Sequence, residues 1–453
     1  MSDPNGRFDF VVIGAGASGE AATHYARSRG ASVAIIDRDL FGGSCPYWAC
    51  MPSKTLLHAA EVKAHGGDYP WPKASARRDY MINRIDTDYP NDGSHVHALE
   101  KAGAAVLRGT GRITGPGRVV VTHENTTHDL EARNIIVAVG SVGKVPKLEG
   151  LAEAGYWTNV EATSLRELPK SVVILGAGPS GIEIAQYLAR YGVRTAIVGR
   201  VNPTDHPKSS AFIARVLKKD GVDVRDGVRA VRVHKGSPEH RVELSDGSSV
   251  SGEIVQLSVG RTSAKALGSL GLGSVGVTYE GGDTIEADAY LRLADGVYAV
   301  GDPIGHELST HLGHYEGEMA VRIALGDDVR VDFSATPRVV YIDPEAAAVG
   351  LRIDQANEKG IDAFEETTGF PKSTKGYIVE ADDGHVSIVV DRKRKALIGA
   401  FIAGHGAGEA IHAAVLGIKL GTPVDTLAQT IHAFPTTARV LSGLFASAAL
   451  KLR

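Results

Sequence analysis

Cys45 and Cys50 are the only cysteines in this 453-residue sequence, and both fall in the stretch GGSCPYWACMPSK. A Gly-rich turn leads into them and a helical pattern follows. Their separation allows an intramolecular disulfide in the first turn of a helix, where the positive dipole end lowers a thiol pKa. In a chain with no other thiols the pair reads as redox-active rather than structural. Tyr47 and Trp48, between the cysteines, read as packing residues or as pocket lining.

A cycling disulfide needs an electron source, and two segments supply the pattern for one. Phe8 to Ile13 is a short apolar strand running into Gly14-Ala-Gly16-Ala-Ser-Gly19. A helical pattern extends through Ala26, and a second strand from Ser32 ends on Asp37. Strand, GxGxxG, helix, strand and acid form the full context of a dinucleotide fingerprint. Gly14 makes the turn, Gly16 lets backbone approach a pyrophosphate, Gly19 allows close helix packing, and Asp37 can hold ribose hydroxyls. A second unit opens with SVVIL from Ser171, then Gly176-Ala-Gly178-Pro-Ser-Gly181, a helix over about 182–191 and a strand from Thr195 to Val198. Here Gly199 and Arg200 stand where the acid belongs. An arginine in place of the carboxylate favours a 2′-phosphate, hence NADPH over NADH. His206 and Lys208 could add positive charge, although Arg200 could equally be a solvated surface charge. Two nucleotide units and a disulfide imply a relay from reduced nicotinamide through flavin to disulfide and substrate.

Composition bounds the remainder. The length suggests two to four domains, and 54 glycines suit an α/β chain with many tight turns. A net charge of −4 gives no reason to expect nucleic acid or an anionic membrane as partner. The start lacks the basic residues and long apolar run of a signal peptide, and no apolar run reaches membrane length. A cytoplasmic protein acting on a small molecule is expected, with no metal site.

With these motifs in order, the sequence resembles the pyridine nucleotide–disulfide oxidoreductases, the family of glutathione reductase, dihydrolipoamide dehydrogenase and mercuric reductase. GGSCPYWACMPSK resembles the family's GGTCxNxGCxPSK; IIVAVGS at 135–141 and VQLSVGR at 255–261 resemble its two interdomain segments; GVYAVGDPIG at 296–305 resembles its flavin-ribitol segment. VVYIDPEAAAVGL at 339–351 is similar to the start of its dimerisation domain. The resemblance implies an α/β chain with two Rossmann-like domains binding FAD and NAD(P)H, plus a C-terminal α+β dimerisation domain. It implies a discontinuous FAD domain at 1–150 and 262–330, an NAD(P)H domain at 151–261 and an interface domain at 331–453. By resemblance Cys45 is the interchange thiol and Cys50 the thiol against the flavin. Lys54 and Glu183 are an ion pair near the flavin. Gly43, Ser44, Gly140, Gly260, Arg261, Gly301, Asp302 and Thr310 are further cofactor contacts. His311, beside Thr310, reads as packing or polar contact. A homodimer with its active site at the subunit interface is implied.

One segment departs from the family. Its C-terminal signature resembles HAHPTxSE, in which the second histidine and the glutamate form an acid–base pair. This chain reads His432-Ala433-Phe434-Pro435-Thr436-Thr437-Ala438-Arg439. Phe434 and Arg439 stand in the pair's places, and His432 could act as a substitute base or be structural. Loss of a general acid–base group costs about 10²–10⁴ in rate, so reduction of ordinary dialkyl disulfides should slow. One branch, the 2-ketopropyl-coenzyme M oxidoreductase/carboxylase, carries a similar phenylalanine, which makes reductive C–S cleavage with carboxylation an alternative. A redox-sensing flavoprotein with little turnover is another. Arg77-Arg78, in a segment at 65–91 without clean periodicity, reads as a solvated charge cluster or an anion contact. GHGAGEAIHAAVLGIKLG at 404–421 reads as a packed interface helix.

Overall fold

The computed structural model describes residues 6–453. Contacts within the chain group it into two compact units. The first holds the chain up to Thr55 with Pro72–Lys144 and Gly260–Val331; the second holds Leu56–Trp71, Val145–Val259 and Asp332–Arg453. No helix among the described residues is long and apolar enough to cross a membrane.

The first unit is built on one sheet. Strands Val297–Ala299, Thr126–Val137, Arg7–Ile13, Val33–Asp37 and Ala105–Arg108 run parallel in that order, with Arg292–Ala294 antiparallel at one edge. The central strands are continuous apolar runs because helices cover both faces, and Phe10, Val11 and Val12 are wholly buried. Helix Ala17–Ser28 follows the first strand and packs on helix Thr310–Ala324 through glycine. A β-carbon at Gly317 would lie 2.3 Å from the Ser18 carbonyl oxygen, so the helices approach more closely than side chains permit. Helix Trp71–Met81 forms within the segment that lacked periodicity. There Arg78 is fully buried against Asp79 and Ser75, and Arg84 shares the same Asp79 carboxylate. The reading of Arg77-Arg78 as a solvated cluster is therefore corrected. Asp79 neutralises the buried guanidinium, and only Arg77 remains outside, over the Tyr80 ring at 5.0 Å.

The second unit contains a parallel sheet ordered Asp223–Asp226, Arg194–Gly199, Ser171–Leu175, Ile254–Leu257, with an antiparallel three-stranded sheet from 230 to 252. It also contains a five-stranded antiparallel sheet ordered Pro337–Val340, Ala346–Gly350, Ala396–Ala403, His385–Asp391, Ala363–Gly369. Helix Thr437–Lys451 packs its Leu441 and Phe445 into a core with Phe370, Val386 and Ile402. The expected single helix at 404–421 is broken into Ala407–Ala410 and His412–Lys419. Its first half is core: Ala407, Ala410, Ile411 and Ala414 are buried within this unit, whereas Leu416 and Leu420 are exposed.

Candidate active site

The first glycine-rich turn is fixed by its own backbone. Gly14 has φ +106°, and a β-carbon there would lie 2.2 Å from the Ala138 carbonyl oxygen. Gly19 is equally closed, its β-carbon position lying 1.9 Å from the Gly14 oxygen. Asp37 ends the second strand, and its carboxylate accepts the Ala15 N–H at 2.7 Å and the Asp39 N–H at 2.9 Å. Burial nonetheless pushes its pKa above the usual carboxylate value. A pocket beside it is lined by Gly14, Asp37, Gly109, Gly111, Val139 and Ala266. Gly43 crosses Gly16 so closely that a β-carbon would sit 2.7 Å from the Gly16 α-carbon. These features fit the nucleotide half of FAD: an acid at a ribose position and backbone N–H groups without side chains for a pyrophosphate.

Cys45 lies in the short helix Ser44–Trp48, and Cys50 opens the helix Cys50–Ala64 after a break at Ala49. Both are free thiols and partly exposed. Cys50 Sγ is 3.3 Å from Thr310 Oγ1 at the start of helix Thr310–Ala324. The expectation of a lowered thiol pKa fails for Cys45. Its hydrogen bond to Cys50 and its burial push the thiol well up, against opposing help from Thr310 and Lys54. A five-residue helix has too little dipole to offset these effects. Around the cysteines, Tyr47 is buried and donates to the Phe41 carbonyl at 3.0 Å. Trp48 meets the Tyr89 ring at 5.6 Å.

Asp302 accepts a short hydrogen bond from Ser141 Oγ. Arg261 donates to Ser141 Oγ at 2.7 Å and to the Ser141 carbonyl at 2.6 Å, while Ser263 Oγ donates to the Gly140 carbonyl at 2.7 Å. Gly140, Gly260, Arg261, Gly301 and Asp302 are thus brought together in one polar knot. Sequence reasoning missed Ser141 and also Glu316, whose Oε2 accepts the Gly301 N–H at 2.6 Å. The available signal was a lone carboxylate between Gly313 and Gly317 in an otherwise buried helix face.

The second unit repeats the nucleotide turn. Gly176 has φ +104°, and a β-carbon would lie 2.2 Å from the Ser258 oxygen; Gly181 closes on Gly176 at 2.2 Å. Gly178 precedes helix Pro179–Arg190, whose start lies three residues before the expected one. Arg200 is exposed after strand Arg194–Gly199. Lys208 Nζ instead reaches Thr367 Oγ1 at 3.1 Å, and His206 meets Glu365 at 3.1 Å, so these two are engaged by the C-terminal sheet. Glu183 is buried and accepts the Tyr341 N–H at 3.2 Å. His432, Phe434 and Arg439 lie near the start of the last helix. Phe434 is 69% exposed, His432 Nδ1 bonds the Thr430 carbonyl at 3.0 Å, and Arg439 Nη1 reaches Ser442 at 3.3 Å. Glu61, His65 and Asp343 place three possible metal-ligand atoms within 4.8 Å of one another. Arg190 already bonds that Asp343 oxygen at 2.9 Å and competes with any cation.

Two glycine-cradled nucleotide turns, a cysteine pair and a C-terminal α+β domain define a flavin- and nicotinamide-dependent disulfide oxidoreductase. The chain belongs to the pyridine nucleotide-disulphide oxidoreductase family, whose model matches residues 8–322, with its dimerisation domain at 336–443. Enzymes of this family bind FAD and use pyridine nucleotides. The chain is 31% identical to a mercuric reductase of Streptomyces lividans over 96% of its own length and 94% of that protein's. It is 32% identical to a dihydrolipoyl dehydrogenase of Chlorobaculum tepidum over 96% of each chain. In fold it is similar to a copper(II) complex of RclA, an HOCl-induced flavoprotein disulfide reductase of Escherichia coli. That likeness has a TM-score of 0.85 at 23% identity and covers 97% of this chain and 99% of that one.

Proposed function

We propose that the protein is an NADPH-linked disulfide reductase that passes two electrons through Cys45 and Cys50 to a small disulfide or thiol-type substrate. The observation that carries this reading is the cysteine pair itself: Cys50 held at Thr310, and Cys45 partly exposed beside it as the attacking thiol. When bound, FAD would relay a hydride equivalent from the nicotinamide to the disulfide. The protein's part is to hold and orient. Asp37 and the Gly16–Gly43 crossing take the nucleotide half, the Asp302–Ser141–Arg261 knot takes the ribitol region, and Thr310 sets the Cys50 sulfur. Lys54, four residues after Cys50 on the same helix, adds a positive charge that favours the thiolate form.

NADPH is favoured over NADH because Arg200 replaces a ribose-binding acid. The active enzyme is a homodimer whose C-terminal segment, with Phe434 and Arg439, completes the partner's pocket without a histidine–glutamate pair. Two thiols that must be reduced in each cycle fit a reducing, cytoplasmic setting. The test is anaerobic titration of the purified flavoprotein with NADPH and separately NADH, following the long-wavelength absorbance of a thiolate against flavin. A band that needs two electrons per flavin and vanishes in Cys50→Ala supports the relay. Direct bleaching without that band removes the disulfide from the pathway.

A further inference from the structure

The loop that leads into the cysteine pair also closes the flavin cradle. The Gly42 N–H donates to the Ala15 carbonyl at 2.7 Å, and Gly42 forms a parallel β-bridge with Gly16. Together with the Gly16–Gly43 crossing, these contacts seat the loop across the glycine-rich turn. His95 packs against the same residue. Gly42 takes φ +100°, and a β-carbon there would lie 2.8 Å from Cε1, 2.9 Å from Nε2 and 3.0 Å from Nδ1 of the imidazole. The ring thus occupies the space that a side chain at 42 would need.

His95 lies near the start of helix Gly93–Lys101, and its Nδ1 bonds Glu20, at 2.9 Å to Oε1 and 3.2 Å to Oε2. Glu20 stands in the first turn of helix Ala17–Ser28, which follows directly on Gly16. One histidine therefore joins the first turn of the nucleotide-binding helix to the loop that bridges its glycines. A pyrophosphate at that helix N-terminus is held by backbone N–H groups and by the positive end of the helix dipole. A carboxylate in the same turn repels such an anion, and a protonated imidazole on that carboxylate cancels the repulsion. The groups facing the ring are Glu20 from the first helix, Asp92 from the turn before its own helix, and Tyr47 from the cysteine helix, its ring edge-on with centroids 5.9 Å apart. Asp92 is engaged by the Phe41 N–H at 2.9 Å and by Arg108 at 2.6 Å, which leaves Glu20 as the group that sets the ring's charge. Its hydrogen bond raises the His95 pKa above the usual imidazole value, against the effect of burial. A raised value means that the charged pair is complete below the ordinary imidazole pKa and is lost as pH climbs through the raised one.

We propose that His95, braced by Glu20, is a positioning residue for FAD. It clamps the loop 40–43 onto the glycine-rich turn and cancels the Glu20 charge at the helix end that takes the pyrophosphate. The cradle therefore holds flavin most tightly when the imidazole is protonated. This rests on the reading of the Gly16–Gly43 crossing as the place of the pyrophosphate.

The experiment dilutes purified holoprotein at fixed ionic strength, across pH 6–9, and follows FAD release by the rise in flavin fluorescence. For the unaltered protein the release rate is expected to rise about tenfold across this window, the scale of one charge-assisted hydrogen bond. His95→Gln keeps a polar side chain without the charge and should release FAD at the fast rate at every pH. Glu20→Gln should lose the rise with pH, because no carboxylate is left to neutralise. A residue that only fills space would shift the release rate equally at every pH. Far-ultraviolet circular dichroism checks that the variants are folded, and where His95→Gln is not, Glu20→Gln decides alone. A flat profile in the unaltered protein, or a rise with pH that persists in either variant, overturns the proposal. Those results leave the cradle reading standing as long as Gly43→Ala sheds its flavin. Full flavin retention in Gly43→Ala overturns the cradle reading, and this proposal with it.

Discussion

The carboxyl of Glu316 accepts the backbone N–H of Gly301 at 2.6 Å, tying a wholly buried acid to the turn that presents Asp302. Gly301 takes φ +76°, and a β-carbon there would lie 2.4 Å from Ser18 Oγ, so the turn cannot be relaxed by substitution. Burial pushes the Glu316 pKa up to about 7, and burial also pushes His306, 3.2 Å away, below the usual imidazole value.

This has a consequence for stability against pH. An acid whose folded pKa is raised binds more protons folded than unfolded between the two values. Its contribution is thus fully present below the unfolded value of about 4.5 and declines as pH rises to about 7. Glu316→Gln keeps the acceptor for Gly301 and removes the titration. Urea midpoints of the two holoproteins should diverge across this window, with an effect on the order of 2–4 kcal/mol. Parallel pH profiles would show that Glu316 does not titrate there.

Thr310→Val removes the hydroxyl 3.3 Å from Cys50 Sγ. The same hydroxyl also pulls the Cys45 thiol pKa down, against its Cys50 hydrogen bond and its burial. Alkylation of reduced Cys45 by iodoacetamide at fixed pH should slow about tenfold, the scale of one charge-assisted hydrogen bond. An unchanged alkylation rate would remove Thr310 from the thiol network.

Gly43→Ala tests the flavin cradle. Gly43 has φ +69° and ψ −154°, a region open almost only to glycine, and its new methyl would meet the Gly16 backbone. Flavin content per chain, read from the ratio of flavin to protein absorbance, should fall below about half of the unaltered value. The far-ultraviolet circular dichroism spectrum should remain, because the sheets do not depend on this crossing. Full flavin occupancy would show that the pyrophosphate does not use it.

Arg200→Ser addresses coenzyme choice. If this exposed side chain meets a 2′-phosphate, KM for NADPH should rise about tenfold or more while KM for NADH stays nearly constant. Equal changes for both coenzymes would return Arg200 to the solvent-facing charges.

What was legible in the sequence was local. Gly14, Gly16, Gly19 and Asp37 announce themselves because a strand–turn–helix imposes backbone conformations that few residues adopt. Cys45 and Cys50 stand out through scarcity. What was hidden depends on partners far along the chain. Asp302 finds Ser141 across 161 residues, and His95 finds Glu20 across 75. No window of sequence shows that His206 and Lys208 turn toward Glu365 and Thr367 rather than toward a coenzyme. Arg78 misled for a related reason, since only the fold shows that Asp79 and Ser75 accompany it into the interior.

The chain's only two sulfhydryls are both partly exposed. Any thiol-selective dye, spin label or mass tag therefore reports on the reactive centre of the natural polypeptide with no background to engineer away. Whole-protein mass shifts of zero, one or two adducts would count the oxidised, half-blocked and fully reduced populations in a living culture as directly as in a cuvette.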